Sequence, residues 1–282
     1  MDLVTPIKIQ GKKTKLKNLI KSQEIINNKV WIEPFLGSAE ILFNVEPEYA
    51  YVSDNNAVII SFYKNIQEKK ITSTIAREFL EYHGKKLLEN GKEYYYEMRK
   101  QFNINRDPLY FLFLNRSCFN GIIRYNSKGE FNVPFCNKND RFSKALITKI
   151  CNQISKVEMV LEKHGKNWVF ECVDWKIAVE RYSTLDNAIF YFDPPYVNRH
   201  TTYYDDWTEE KNNDFFNYLS NANINFILSN WYANKYRKND VLISSFPSEK
   251  YEYKYTEHFY HVGGKLENRN KMVECLVIKK MI

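Results

Sequence analysis

A carboxylate followed by two prolines and an aromatic residue forms the stretch best suited to chemistry, Asp193-Pro194-Pro195-Tyr196. Proline fixes φ and lacks a backbone N–H, so the carboxylate of Asp193 and the carbonyl of Pro194 make a rigid pair of acceptors. Tyr196 adds a ring for stacking. The exocyclic amine of adenine or cytosine needs two acceptors and a stacking surface. The tetrapeptide alone is explained equally well as a strand that ends in a proline turn.

The element that must position Asp193 is the apolar, aromatic run at residues 188–192. Such a short run, stopped by Asp-Pro-Pro, predicts a buried strand. In an open α/β sheet, ligands bind at the carboxyl ends of the strands. Asp193 is therefore expected at a ligand-binding edge.

Two earlier segments predict neighbouring strands with chemistry at the same edge. Residues 30–43 have the pattern strand, tight turn at Gly37, then helix, and residues 49–53 form a strand that ends at Asp54. The glycine turn lets the backbone approach a nucleoside, and an acid about 20 residues further on accepts ribose hydroxyls. Asp54 or Asn55 could equally be a helix N-cap, and both roles can coexist.

Three further strands are predicted at residues 168–173, 225–228 and 272–278. The first ends in an acidic and aromatic pair, Asp174-Trp175, which could clamp an adenine ring. The loop at residues 197–207 is polar and aromatic.

Residues 111–136 predict a β-hairpin, because Asn126-Ser127-Lys128-Gly129 is a turn sequence between two strand-like runs. Its Arg, Asn and Lys side chains, interleaved with aromatic ones, suit the reading of base edges and wedging between bases. An exposed structural hairpin is an equally good interpretation. A second basic loop, at residues 263–271, could hold phosphates through Arg269 and Lys271, although a solvated loop explains it nearly as well.

The composition is that of a soluble globular chain of 282 residues with 44% hydrophobic and 27% charged residues. Lysine and arginine outnumber acids by 41 to 34, which favours a polyanionic partner, unless the source proteome is generally basic. The five cysteines lack metal-ligand spacing and predict reduced thiols and no metal site. The absence of a long apolar run predicts a cytoplasmic protein without a membrane span.

The order of these motifs resembles that of amino-methyltransferases that use S-adenosylmethionine. Residues 6–20, 31–43, 111–136, 190–200 and 257–278 together resemble the Dam-type DNA-adenine N6-methyltransferases, D12 class and alpha group, and most of all the EcoRV type. The resemblance covers nearly the whole chain, and residues 115–121 and 129–135 are its most specific part.

The resemblance implies an α/β fold with a doubly wound, Rossmann-like methyltransferase sheet. Residues 1–55 and 166–282 would form the catalytic domain that binds S-adenosylmethionine. Residues 56–165 would form a smaller inserted helical domain for target recognition, with a DNA-reading hairpin at about 115–136.

The resemblance also implies roles for individual residues. Ile9 and Lys13 would line the methionine end of the cofactor, Asp54 would take the ribose and Asp174 the adenine. The full cofactor set is Ile9, Lys13, Phe35, Gly37, Asp54, Asp174 and Asp193; the catalytic set is Asp193, Pro194, Pro195 and Tyr196. The DNA-binding set is Arg116, Phe119, Asn120, Ile122, Arg124, Asn126, Lys128, Asn132, Arg269 and Lys271. Ala39 and Ile9 depart from the family, which often has glycine and tryptophan there.

The implied activity is methyl transfer to N6 of an adenine flipped out of double-stranded DNA, without a metal, at a site containing GAT. The protein would work as a monomer, within a restriction-modification system and beside a cognate endonuclease that it does not bind stably. Two alternatives stay open: methylation of another planar amine (cytosine N4, an RNA base or a protein glutamine), and a non-catalytic DNA-binding relative.

Overall fold

Seven strands form one sheet in the part of the chain that the computed structural model describes, residues 2–9, 11, 13, 16–27, 29–197, 207–259 and 271–280. In chain order the strands are β1 Val30–Glu33, β2 Tyr49–Ser53, β3 Trp168–Glu171, β4 Ala188–Phe192, β5 Phe226–Asn234, β6 Glu252–Phe259 and β7 Lys271–Lys279. Their spatial order is β3-β2-β1-β4-β5-β7-β6.

The first five strands are parallel to one another, whereas β7 is antiparallel to both β5 and β6. The chain moves outward from β1 to β3 and then returns to place β4 on the other side of β1. The junction of β1 and β4 is therefore the switch point of a doubly wound sheet, where a crevice opens at the carboxyl ends of the strands.

Helices cover both faces of the sheet, because successive side chains of a strand point to opposite faces. Ile189 and Tyr191 join the cluster on the first face, and Phe190 and Phe192 join the cluster on the second. The first face carries α1 Leu16–Lys21, α2 Leu42–Val45, α3 Ala57–Gln67, α4 Ser73–Asn105, α5 Pro108–Ser117 and α6 Lys144–His164. The second face carries α7 Trp175–Tyr182, α8 Glu209–Asn221 and α9 Asp240–Ser245.

The helical segment between β2 and β3 packs directly onto the first face. Buried residues of α3 to α6 belong to the same hydrophobic cluster as Trp31, Val52 and Phe170 of the sheet. This segment corresponds to the predicted insertion at residues 56–165, and its division from the sheet as a separate domain stays a prediction.

The predicted hairpin is present, but it is irregular. Its two sides meet at two isolated bridges, Cys118 with Phe135 and Tyr125 with Phe131. Its turn is the predicted one, since the N–H of Gly129 donates to the carbonyl of Asn126 at 2.8 Å. The start of the hairpin was wrongly predicted, because α5 continues to Ser117.

The strand β6 was not predicted, and β5 is longer than the predicted strand, which ended at residue 228. Both strands are completed by pairing with β7, which comes last in the chain. Among the helices of the described ranges, none combines the length and apolarity needed to cross a membrane.

Candidate active site

Three carboxylates lie at the carboxyl edge of the sheet, each at the end of a different parallel strand. Glu33 is the last residue of β1, Asp54 follows β2 and Asp193 follows β4. Because β1 lies between β2 and β4, the three residues share one edge at the switch point. Asp54 and Asp193 were predicted here, whereas Glu33 was not singled out.

Asp193 forms an ion pair with Lys13, whose Nζ lies 2.8 Å from Oδ1. The hydroxyl of Ser229 on β5 donates to the same oxygen at 2.9 Å and itself accepts from the hydroxyl of Tyr191 at 3.2 Å. Both bonds to Asp193 fall on Oδ1, and 22% of this side chain is exposed. Asp193 is therefore held in place while part of its carboxylate stays accessible.

Lys13 is a buried basic residue that interacts with two carboxylates and an aromatic ring of the site. Its side chain is 5% exposed, and its Nζ lies 4.7 Å from the centre of the Tyr196 ring. The hydroxyl of Tyr196 donates to Oε1 of Glu274 on β7 at 3.3 Å. Burial would lower the pKa of Lys13, but the carboxylates of Asp193 and Glu274 outweigh burial and raise that pKa above its ordinary value. Lys13 is therefore charged.

Glu33 is a buried carboxyl beside this cluster. Its Oε2 accepts from the indole N–H of Trp31 at 2.8 Å, and Trp31 stacks on Tyr191 with ring centres 5.5 Å apart. Burial, together with the charges of Asp193 and Asp54, raises the pKa of Glu33 to about 8 despite the indole bond. The carboxyl of Glu33 is therefore mainly protonated at neutral pH.

The glycine turn after β1 is fixed to the end of β2 by Asp54. The N–H of Gly37 donates to Oδ2 of Asp54 at 2.8 Å, and the N–H of Asn56 donates to Oδ1 at 2.8 Å. Gly37 has a φ of 51°, and among the described residues a methyl group there would meet only Cδ1 of Ile9, at 3.9 Å. The turn thus leaves space in front of its backbone. Burial raises the pKa of Asp54, although its two N–H partners lower it.

Ala39 lies two residues further along the same turn and has a φ of 57° while fully buried. Glycine adopts this conformation without the strain that a Cβ imposes. This geometry gives a physical reason for the glycine that many members of the resembled family have here.

Phe35, at the start of the turn, faces the second side of the sheet. Its ring contacts Phe215 and Trp207 edge-on, each with ring centres 5.7 Å apart. The side chain therefore serves packing, and the backbone of the turn is the part of this segment nearest to the edge.

Asp174 lies at the same edge, after β3. Its carboxylate caps α7 by accepting from the N–H of Lys176 at 2.9 Å, and Asn55 donates to its second oxygen at 3.5 Å. The alternative prediction of a helix N-cap at Asp54 or Asn55 is wrong, because the side chain of Asn56 caps α3. The oxygens of Asp54 are instead bonded to the glycine turn and to Asn56.

The hairpin places most of its predicted DNA contacts at the surface. Phe119 is 51% exposed. Arg124 donates through Nε to Oδ1 of Asn132 at 2.8 Å, and Asn126 donates to Oε2 of Glu130 at 2.8 Å. Exposed members of the predicted set are Phe119, Asn120, Arg124 and Lys128, and partly buried members are Ile122, Asn126 and Asn132.

The remaining residues of the predicted DNA-binding set are Arg116, Arg269 and Lys271. Arg116 is 7% exposed, and its guanidinium donates to the carbonyl of Pro6 at 3.1 Å, so its position does not suit contact with DNA. Arg269 lies outside the described residues. Lys271 is the first residue of β7, and its side chain lies outside the described part. The loop at residues 198–206 also lies outside that part.

Three residues of the site, Glu33, Ser229 and Glu274, were not predicted from the sequence. The first two could have been found from their position, since each follows an apolar strand run. Glu274 gives no such signal, because it reaches the site only through the insertion of β7 beside β5.

This sheet order, with a glycine turn, acids and Asp-Pro-Pro-Tyr at the switch point, is that of the Rossmann-like methyltransferases. The family model of "D12 class N6 adenine-specific DNA methyltransferase" matches residues 10–250, and the chain belongs to this family.

Three relatives illustrate the range of the family. "Type II methyltransferase M.MjaIII" of Methanocaldococcus jannaschii is 31% identical, over 82% of this chain and 86% of its own. The "DNA adenine methylase" of Escherichia coli K12 is 32% identical, over 59% of this chain and 55% of its own. "Type II methyltransferase M.FokI" of Planomicrobium okeanokoites is 26% identical, over 97% of this chain and 42% of its own.

Proposed function

We propose that the protein transfers a methyl group from S-adenosylmethionine to N6 of an adenine flipped out of double-stranded DNA. The observation that carries this proposal is the carboxylate of Asp193, held through Oδ1 by Lys13 and Ser229 beside the glycine turn. Oδ2 and the Pro194 carbonyl would then accept the two N–H bonds of the adenine amine. A base inside the stack cannot present that amine, so extrusion is required.

The residues at this edge fit S-adenosylmethionine. The backbone of Gly37 leaves space that a methyl group would share only with Ile9 among the described residues, and Asp54 is held at the end of β2 with ribose-accepting oxygens. Ile9 and Lys13 would lie toward the methionine end, and Asp174 toward the adenine. When bound, the cofactor supplies the methyl group from its sulfonium.

Asp193 has an electrostatic role in this proposal. The N6 lone pair is delocalised into the adenine ring, which makes the amine a poor nucleophile. Acceptors on both N–H bonds favour a pyramidal nitrogen and stabilise the positive charge that develops as the C–N bond forms. Lys13, 2.8 Å from Oδ1, would hold the carboxylate of Asp193 in position. Tyr196, whose ring centre lies 4.7 Å from Nζ of Lys13, would hold the base by stacking.

The hairpin would recognise the target. Phe119 and Ile122 would enter the stack, while Arg124 and Asn126 would read base edges, with Asn120, Lys128 and Asn132 beside them. We further propose a GAT-containing site and kinship with the EcoRV type. A role in restriction-modification is supported by the two type II methyltransferases among the relatives. The protein would act as a cytoplasmic monomer, with any cognate endonuclease separate.

The test is single-molecule sequencing of modified bases on a methylation-free plasmid incubated with the protein and S-adenosylmethionine. We expect N6-methyladenine at one recurrent motif, and we expect Asp193→Asn to leave no mark while duplex binding is kept. Full activity in Asp193→Asn would rule out the proposed role of Asp193 in methyl transfer. If the protein binds the cofactor but marks no adenine, the substrate is another planar amine, and a panel of cytosine, RNA and protein amides would identify it.

A further inference from the structure

Strand β5 extends well past its parallel neighbour at the active-site edge. The last pair between β4 and β5 joins Phe192 to Leu228, yet β5 continues to Asn234. These six further residues correspond to about 20 Å of extended chain. The segment 234–238, here called the β5 tip, therefore projects beyond the edge that carries Asp193.

The β5 tip is an ordered turn. The N–H of Asn234 donates to the carbonyl of Arg237 at 2.9 Å, and Oδ1 of Asn234 accepts from the N–H groups of Tyr236 at 2.8 Å and Arg237 at 3.0 Å. A bridge between Ala233 and Lys238 closes its base. Its side chains are thus presented on a fixed backbone.

The side chains of the β5 tip are basic and aromatic, and all are exposed. They are Lys235, Tyr236, Arg237 and Lys238. Tyr236 is 71% exposed, which is unusual for a large aromatic side chain that only packs. The guanidinium of Arg237 lies 5.1 Å from the centre of the Trp231 ring. The tip itself carries three basic side chains, those of Lys235, Arg237 and Lys238, and no acidic one.

The β5 tip and the hairpin lie on opposite sides of Asp193. The hairpin is anchored above β2, where Tyr125 donates to Oδ1 of Asn56 at 3.5 Å. In the sheet, β1 and β4 lie between β2 and β5. Three strand spacings amount to about 14 Å, which is comparable to the width of about 12 Å of the DNA major groove. A duplex held by the hairpin over Asp193 therefore extends toward the β5 tip.

We infer that the β5 tip binds the sugar-phosphate backbone of the duplex on the side of the extruded adenine opposite to the hairpin. Lys235, Arg237 and Lys238 contact phosphates, and Tyr236 packs against a sugar. This inference rests on the proposed function and adds a second DNA-binding surface to it. Contacts of this kind fix the position of a protein on DNA without reading sequence.

The test compares two double variants with equal loss of charge. Lys235→Ala/Lys238→Ala removes two lysines of the tip and leaves the contact between Arg237 and Trp231 intact. The matched control is Lys166→Ala/Lys250→Ala, since both lysines are exposed and lie before β3 and β6, at the opposite edge of the sheet. The dissociation constant for a duplex is measured over a range of salt concentrations, with unfolding midpoints recorded for all proteins.

Each lost phosphate contact reduces the slope of log affinity against log salt by about 0.9. We therefore expect the tip variant to lose about 1.8 from this slope, to bind cognate and unrelated duplexes more weakly by the same factor, and to keep its turnover at saturating DNA. The control variant should retain the wild-type slope.

The possible results separate this inference from the proposed function. If the wild-type protein methylates adenine and the two double variants have the same slope, the inference alone is wrong. If the wild-type protein binds the duplex but methylates no adenine, the proposed function fails, while the slopes still show whether the β5 tip contacts phosphates. A loss of affinity confined to the cognate duplex would also overturn the inference, because it would indicate base reading.

Discussion

The surroundings of Glu33 at the switch point determine the protonation of its carboxyl. Glu33 is 1% exposed, its carboxyl accepts from the Trp31 indole, and the carboxylates of Asp193 and Asp54 act on it. Burial and like charges both disfavour the ionised form. Glu33 therefore keeps its proton to a higher pH in the folded protein than in the unfolded chain, so the stability of the protein depends on pH.

We expect Glu33→Gln to remove a pH-dependent loss of stability. The pKa of Glu33 is about 8 in the folded protein against 4.5 ordinarily. Between these values the unfolded chain has released the proton while the folded protein retains it, so rising pH favours unfolding by up to about 1.4 kcal/mol per pH unit. Below about pH 4.5 the effect is absent, and above about pH 8 it is complete.

The measurement is urea unfolding of wild type and Glu33→Gln at several values between pH 5 and pH 9. The free energy of unfolding of wild type should fall relative to that of the variant up to about pH 8 and then run parallel to it. Glu48→Gln, at an exposed position before β2, is the control and should follow wild type. Parallel curves for wild type and Glu33→Gln throughout would contradict the buried, protonated carboxyl.

Residue types and spacing were enough to predict Asp193, Gly37 and Asp54 at one edge, since each follows a strand of clear pattern. They could not predict that Lys13 pairs with Asp193, because that contact joins residues 180 positions apart. Arg116 shows the opposite failure. Its type and its hairpin context suggested a DNA contact, but α5 turns it into the interior.

At the level of elements, two asparagines fasten the hairpin to its surroundings. Asn115 on α5 accepts from the N–H of Lys8 at 2.8 Å and donates to its carbonyl at 2.8 Å. Asn103 on α4 does the same to Phe131, at 2.8 Å and 3.1 Å. Asn115 also donates to the carbonyl of Gly121 at 3.4 Å, so it joins the hairpin segment to the N-terminal segment that leads to Lys13. Asn103 holds only the Phe131 side of the hairpin.

We therefore expect Asn115→Ala and Asn103→Ala to differ in their effect on turnover at saturating DNA. Asn115→Ala leaves the partly buried N–H and carbonyl of Lys8 unpaired, at a cost of about 2–3 kcal/mol in unfolding free energy, and displaces the segment carrying Lys13. It should lower both DNA affinity and turnover at saturating DNA. Asn103→Ala should cost about 1–2 kcal/mol and weaken DNA binding, with turnover at saturating DNA retained. Equal losses of turnover in the two variants would show that Asn115 does not couple the hairpin to the catalytic segment.

Strands and turns could be predicted where they depend on residues close together in the sequence. The strands β1 to β4 follow from apolar runs bounded by turn residues, and the hairpin turn follows from Asn126 and Gly129. The strand β6 and the extension of β5 were not, because each depends on a partner strand far along the chain. The sides of the hairpin are bonded to the neighbouring helices as well as to each other, since Asn103 on α4 donates to the carbonyl of Phe131 and Asn115 on α5 donates to that of Gly121.

At the scale of the whole molecule, the sheet separates the two operations that the proposed function needs. In that proposal the switch point supplies the acceptors and the cofactor edge, and Phe119, which is exposed on the hairpin above β2, acts as the wedge. Extrusion of a base costs a few kcal/mol, and least when the base is mismatched. A wedge that fills the vacated stack would offset part of this cost.

We expect Phe119→Ala to impair extrusion of the adenine rather than the methyl transfer itself. A stacked aromatic is worth about 1–3 kcal/mol, so kcat/KM should fall by about 5- to 150-fold on a matched duplex. On a duplex in which the target adenine is mismatched, the loss should largely disappear, because the base is already unstacked. With 2-aminopurine in place of the target adenine, binding of wild type should raise fluorescence more than binding of the variant.

The control variant is Tyr49→Ala, which removes an aromatic side chain that is 47% exposed at the opposite edge of the sheet and should behave as wild type. A residue that only helps to open the stack has no effect once the stack is open. An equal loss of kcat/KM for Phe119→Ala on matched and mismatched duplexes would therefore show that Phe119 contributes to DNA binding in general and not to extrusion.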